Sequence, residues 1–230
     1  MEPRYAVYYA PSTHSQLWRL GCEWLGSDPA RDEALKQPAV PGYEAMRIAA
    51  LTEAPRAYGF HATLKPPFRL RGGAREQALD RSLRALAASR RAFALPSLQV
   101  TRLGGFLALT PVRHDADLAG LANACVAELD HLRRPPDENE LLRRRAAGLS
   151  ARQEALLTRW GYPYVFEEFR FHLTLTGRID EQDGAALADW LASWFAPALS
   201  QPLRVEDVAL YVQSGPGQPF RLLQRYPLRR

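Results

Sequence analysis

Two tripeptides of one kind, His61-Ala62-Thr63 and His172-Leu173-Thr174, stand 111 residues apart in this chain. Five His and eight Thr scattered through 230 residues would give about 0.2 such tripeptides by chance. Each lies in a segment of alternating character. Phe60, Ala62 and Leu64 alternate with His61, Thr63 and Lys65; Phe169, Phe171, Leu173 and Leu175 alternate with Arg170, His172, Thr174 and Thr176. Successive side chains of a β-strand point to opposite faces, so each segment is expected to bury an apolar face and present a histidine, a hydroxyl and a cation on the other. An imidazole, with a reference pKa of about 6.5, takes a proton when neutral and gives one when charged. Two of them on opposite sides of a phosphorus centre would serve as general base and general acid in phosphodiester cleavage. Thr63 and Thr174 would donate hydrogen bonds to the non-bridging oxygens. Lys65, Arg170 and Thr176 are the further candidates for holding the phosphate and balancing its charge.

This scheme requires no metal and no cofactor. His14, His114 and His131 have no recurring carboxylate or cysteine spacing around them. His14 reads as a surface residue near a helix start, and His114 and His131 flank a helix, where a cation at the C-terminal end suits the dipole. Gly104-Gly105 and Gly215-Pro216-Gly217 read as hairpin turns and lack phosphate-loop spacing. Tyr5, Tyr8 and Tyr9 could stack on a substrate ring, but core packing is the better reading of them. Cys22 and Cys125 are too few for a disulfide framework and read as small core residues.

Positioning these groups falls to a chain of ordinary globular composition, 47% hydrophobic and 24% charged, long enough to bury a sizeable core. The absence of an apolar run near 20 residues and of an apolar stretch after Met1 leads us to expect a soluble, cytoplasmic protein with no membrane partner. The net charge of +5 comes from 28 Arg and 2 Lys spread along the chain, which permits anionic substrates without marking a nucleic-acid patch. Strands are expected at 5–10, 58–65, 98–112 (a hairpin), 169–176 and 205–226 (a second hairpin). Helices are expected at 13–25, 43–53 (stopped before Pro55), 74–92, 118–132, 138–147, 151–160 and 181–195. Strands and helices do not alternate strictly, which points to an α+β fold with antiparallel sheets. Residues 43–112 and 151–226 each run helix, His-x-Thr strand, helix, hairpin. The chain thus reads as a single bilobal domain over 1–230, two related lobes each giving one His-x-Thr strand.

The paired His-x-Thr strands resemble those of the two-histidine (2H) phosphoesterase superfamily, whose LigT-like members include RNA 2′-5′ ligases and cyclic phosphodiesterases. The strings from Tyr58 to Leu70 and from Trp160 to Gly177 are similar to one branch of it, linked to phosphonate metabolism and often encoded beside carbon–phosphorus lyase genes. The resemblance runs from Tyr5 to Leu228, with no departure at the His or Thr positions. It implies a LigT-like fold, two pseudo-symmetric lobes each with an antiparallel sheet flanked by helices, and a central cleft with one motif on each side. It carries over His61, Thr63, His172 and Thr174 as site residues; Lys65, Arg170 and Thr176 rest on strand geometry alone. The implied activity is metal-independent phosphoesterase action on a cyclic phosphodiester. The implied partner is a small phosphorylated sugar or nucleotide, such as 5-phosphoribosyl 1,2-cyclic phosphate. The alternatives are an RNA 2′,3′-cyclic phosphodiesterase or 2′-5′ RNA ligase-like enzyme, and a module that binds nucleotide or RNA without turnover. The base and acid roles of the two histidines are not assigned.

Overall fold

The computed structural model describes residues 2–146 and 148–230. In chain order its elements are β1 (Arg4–Tyr9), α1 (Gln16–Leu25), the small ladder β2 (Ser27–Asp28) and β3 (Glu33–Ala34), α2 (Ala45–Arg56), β4 (Ala62–Phe68) and α3 (Glu76–Ala88). There follow β5 (Phe93–Leu95), β6 (Leu98–Leu103), β7 (Phe106–Pro111), α4 (Ala116–Glu128), α5 (Glu138–Arg145), α6 (Ala151–Trp160), β8 (Leu173–Thr174), α7 (Glu181–Leu199), β9 (Leu203–Val205), β10 (Asp207–Gln213) and β11 (Arg221–Pro227). The class is α+β, and the named strands pair antiparallel throughout. Among the described residues no helix is long and apolar enough to cross a membrane.

Local chemistry sets most helix ends. The Ser15 side chain accepts from the Trp18 amide to open α1, and Gly26 closes it in the left-handed conformation that glycine adopts without strain. Ser150 and Gln153 form the capping box that opens α6, which Gly161 ends. Helix α2 departs from expectation, continuing through Pro55 to Arg56. A proline has no amide hydrogen to give the carbonyl four residues earlier. That freed carbonyl, of Leu51, accepts instead from the Gly177 amide at 2.6 Å. Pro55 therefore costs the helix one hydrogen bond and releases an acceptor that ties α2 to the end of the second His-x-Thr segment.

The main sheet has the order β11-β10-β1-β4-β8-β7-β6. The expected repeat is present: α2-β4-α3-β5-β6-β7 is matched by α6-β8-α7-β9-β10-β11. The hairpins are exchanged, however. The β6–β7 hairpin of the first repeat flanks β8 of the second, while the β10–β11 hairpin of the second lies on the β4 side, separated from β4 by β1. The equivalent strands β4 and β8 pair with each other at Ala62 and Leu173, and the equivalent strands β5 and β9 pair over Phe93–Leu95 and Leu203–Val205. The two half-sheets thus meet at a seam made by the motif strands themselves.

One face of the sheet carries the core. Phe60, Ala62, Leu64, Leu107, Leu109, Leu173 and Leu175 are all buried within a single cluster that includes helix residues such as Leu17, Leu83, Leu121, Leu187 and Phe195. Phe60 stacks on Phe195 of α7 and fills the space beside Gly21 of α1, where a Cβ would lie only 2.2 Å from the ring. His61 is therefore set by a residue that is locked between two helices.

Candidate functional site

Antiparallel pairing of Ala62 with Leu173 fixes what lies on the other face. Continuing that register by one residue each way sets His61 opposite Thr174 and Thr63 opposite His172. On that extended register the four side chains would stand at the corners of a rectangle, histidines at one pair of opposite corners and threonines at the other. Directly opposed residues have Cβ atoms about 5 Å apart and diagonal ones about 7 Å. A phosphoryl group reached from both sides by hydrogen bonds of about 2.8 Å fits a gap of that order.

Both imidazoles are held in the same way. His61 Nδ1 lies 2.9 Å from the Gly59 carbonyl and His172 Nδ1 lies 2.7 Å from the Arg170 carbonyl. A carbonyl only accepts, so each Nδ1 carries the hydrogen, and each neutral ring keeps Nε2 as its lone-pair nitrogen. Thr63 Oγ1, 3.1 Å from His61 Nε2, then donates to it. Gly59 has φ of +77°, and a Cβ there would come within 2.7 Å of Pro29, so the turn that aims this carbonyl at His61 requires glycine. Loss of water from around the ring pushes the His61 pKa down to about 4, the Gly59 hydrogen bond opposing and nearby His172 adding to the fall. Desolvation also lowers His172, again against the pull of its backbone hydrogen bond.

Two of the expected phosphate-binding residues lie elsewhere. Tyr8 pairs with Thr63 but Val7 pairs with Lys65, so β4 carries one extra residue between Thr63 and Lys65. Such a bulge breaks the two-residue alternation and puts Lys65 on the core face with Val7. There it is buried, donating to the Val126 carbonyl at 3.0 Å and facing Asp130 at 3.9 Å. Its pKa falls to about 8, with desolvation outweighing Asp130. Thr176 is turned inward by a similar irregularity: the amides of Leu175 and Thr176 both donate to the Leu107 carbonyl, and Thr176 Oγ1 accepts from the Leu107 amide at 2.9 Å. Its hydroxyl is a buried strand-end cap. The regular part of the second segment is also short, covering Leu173–Thr174 only. Arg170 is exposed, and its side chain borders the same cavity as His172.

That cavity holds about 330 Å³ beside the rectangle. Thr63, His172, Arg170, Gln153 and Glu168 give it polar groups; Phe106, Tyr162, Tyr164 and Phe169 give it aromatic walls. The Phe106 ring lies 5.7 Å from that of His172. On the other side of the pair, Tyr8 stacks on His61 with ring centroids 3.7 Å apart. The aromatic walls and the Tyr8 contact were missed in the sequence. The tyrosines of 162–164 precede the motif by several residues, with no periodicity to link them to it. Tyr8 was grouped with Tyr5 and Tyr9 and read as core packing.

Fold and site together define an α+β chain with two His–Thr pairs set crosswise on one sheet face. The model of the family described as "Protein of unknown function (DUF1045)" matches residues 63–221, and the chain belongs to that family. Two curated relatives, both named "Ribose 1,5-bisphosphate phosphokinase PhnN", come from Janthinobacterium sp. (strain Marseille), 41% identical over 228 residues, and Laribacter hongkongensis (strain HLHK9), 44% identical over 223. The alignments take in 97% and 95% of this chain but 50% of each relative, so the chain spans about half their length. Among solved structures it is similar to one described as "Crystal structure of phosphoesterase", at 13% identity and a TM-score of 0.46, with both chains fully covered. It is also similar to E. coli LigT complexed with NADP+, at 14% identity and a TM-score of 0.48, covering 100% of this chain and 99% of that one.

Proposed function

We propose that the protein is a phosphoesterase that opens a cyclic phosphodiester by two-histidine acid–base catalysis. The observation that carries this reading is the register at Ala62 and Leu173, which sets the histidines and threonines on crossed diagonals. Along the histidine diagonal, one neutral Nε2 takes a proton from water as its oxygen bonds to phosphorus. The other histidine, charged, gives a proton to the sugar oxygen as the phosphorus–oxygen bond of the ring breaks. Water is consumed, a monoester is formed, and the two rings exchange protonation states. Across the other diagonal, Thr174 donates to a non-bridging oxygen, and the Thr63 hydroxyl turns its one hydrogen from His61 Nε2 to another, which frees that nitrogen for proton transfer, with Arg170 as a nearby cation. The four side chains suffice for the reaction without a metal.

We take a ribosyl cyclic phosphate as the substrate, in keeping with a role in phosphonate metabolism. Hydrolysis of a ribosyl 1,2-cyclic phosphate that also carries a 5-phosphate would yield ribose 1,5-bisphosphate, the compound in the names of the curated relatives. Kinase action is not carried over to this chain. Neither of its lysines, Lys36 and Lys65, follows a glycine, so it has no phosphate-loop signature. The aromatic walls of the cavity favour a second reading, a nucleoside or RNA 2′,3′-cyclic phosphate whose base stacks there.

A hydrolysis panel pairing ribosyl 1,2-cyclic phosphates with nucleoside 2′,3′-cyclic phosphates separates the two. The ribosyl ester is expected to turn over fastest. His61→Ala and His172→Ala are each expected to lower turnover by about 10²–10⁴ with the circular dichroism spectrum retained. Hydrolysis of neither class, or full activity in either variant, would defeat the reading.

A further inference from the structure

We propose that Tyr8 is the positioning residue of the histidine pair: its ring lies flat on His61 and fixes the plane in which Nε2 meets the phosphoryl group. The inference rests on the acid–base reading above and adds a residue to it. The hydrogen bonds at Nδ1 and Nε2 pin His61 along the line between its two nitrogens. They leave the ring free to tilt about that line. The Tyr8 face removes this freedom, with centroids 3.7 Å apart and the planes 25° from parallel. Tyr8 is itself immovable. It is wholly buried on β1, it pairs in register with Thr63, and its ring is backed by Tyr211 of β10 at 4.9 Å.

The contact also governs what else reaches His61. The titratable groups gathered round the imidazole are Tyr8 of β1, Tyr211 of β10, Tyr58 on the approach to β4, and His172 beside β8. Tyr8 covers a whole ring face, and the Tyr8 and Tyr211 hydroxyls behind it are buried, with no hydrogen-bond partner among the described residues. Neither is open to substrate. Tyr8 therefore acts through its ring, excluding water from one side of His61 while the cleft side stays open for chemistry. When His61 takes a proton, the same ring face lies against a cation, an attraction smaller than the hydration that the ring has lost.

The test is NMR titration of His61 together with steady-state kinetics on wild type, Tyr8→Phe and Tyr8→Leu. In wild type the His61 ring protons are expected to be displaced upfield by the Tyr8 ring current and to titrate below the ordinary histidine range. Tyr8→Phe keeps both features and turnover within about twofold. In Tyr8→Leu the upfield displacement is lost, the titration midpoint moves up as water enters, and kcat falls about tenfold with KM within twofold. The proposal is overturned if wild-type His61 shows no ring-current displacement, if Tyr8→Leu leaves titration and kcat unchanged, or if Tyr8→Phe behaves like Tyr8→Leu. Should Tyr8→Leu not fold, the wild-type and Tyr8→Phe spectra still decide. The spectra require no substrate, so the expected spectra with no cyclic phosphate hydrolysed would uphold the positioning and sink the phosphoesterase reading alone.

Discussion

The close packing that strips water from the His61 imidazole makes the folded state reluctant to protonate it. Its pKa near 4 reflects lost hydration more than any charged neighbour. In the unfolded chain the same imidazole titrates near 6.5. Between these values the unfolded state binds a proton that the folded state refuses, so stability is full above about pH 6.5 and declines as pH falls toward 4. His172, also lowered by desolvation, adds in the same direction. We expect the thermal midpoint to drop steadily from pH 6.5 to 4 and His61→Gln to flatten that slope, measured by calorimetry in steps of about half a pH unit. An unchanged slope in His61→Gln would mean that another group drives it. At this scale the site was half legible. That His61 shares a face with Thr63, and His172 with Thr174, was readable because a period of two sorts side chains by face. Lys65 and Thr176 were not, because bulges at Thr63–Lys65 and Leu107 break that period and leave no trace in residue type.

At the scale of elements, the Ser150-Gln153 box gave α6 to the residue, because it closes a local hydrogen bond that sequence alone can anticipate. Helices α1 and α4 were placed by their apolar stripes, which locate a helix but not its ends, and they run 16–25 and 116–128 rather than 13–25 and 118–132. Strand ends depended on partners. Pro66-Pro67 was read as a stop, yet β4 runs through both to Phe68. The register with β1 shifts a second time between the Val7 and Tyr5 pairs, so the prolines sit where regular pairing lapses. The same irregular strand yields a prediction. Lys65 supports α4 from beneath the sheet rather than binding phosphate, and Asp130 keeps Arg133 at 2.7 Å and Arg159 at 3.3 Å without it. Lys65→Met fills the same apolar space and leaves no unpaired charge, a replacement that is often neutral or stabilising in buried ion pairs. We expect turnover within about twofold of wild type and a thermal midpoint that is unchanged or higher. A loss beyond tenfold in turnover with the fold intact would return Lys65 to the site.

Over the whole molecule, the repeat was legible as an order of elements, but the exchange of hairpins between repeats was not, because nothing local distinguishes the strand a hairpin will flank. That exchange makes the site a joint product of both repeats. Each motif strand lies beside its counterpart at the seam, where direct pairing is limited to Ala62 with Leu173, reinforced away from the site by β5 with β9. An anion at the centre of the rectangle would draw on His61 and Thr63 from one half-sheet and on His172 and Thr174 from the other, bridging a seam that the backbone barely crosses. Because binding only to the folded state adds RT ln(1 + [L]/Kd), inorganic phosphate at 100 times its dissociation constant contributes about 2.7 kcal/mol. For a chain of this size that is a rise of about 5–10 °C in thermal midpoint. The charge it brings also raises the pKa of both imidazoles, so the rise should be larger at pH 6 than at pH 8. The control is the double variant His61→Ala/His172→Ala, in which the rise should fall to a degree or less. Equal shifts in wild type and double variant would place the anion elsewhere on this arginine-rich surface and remove the rectangle as its binding site.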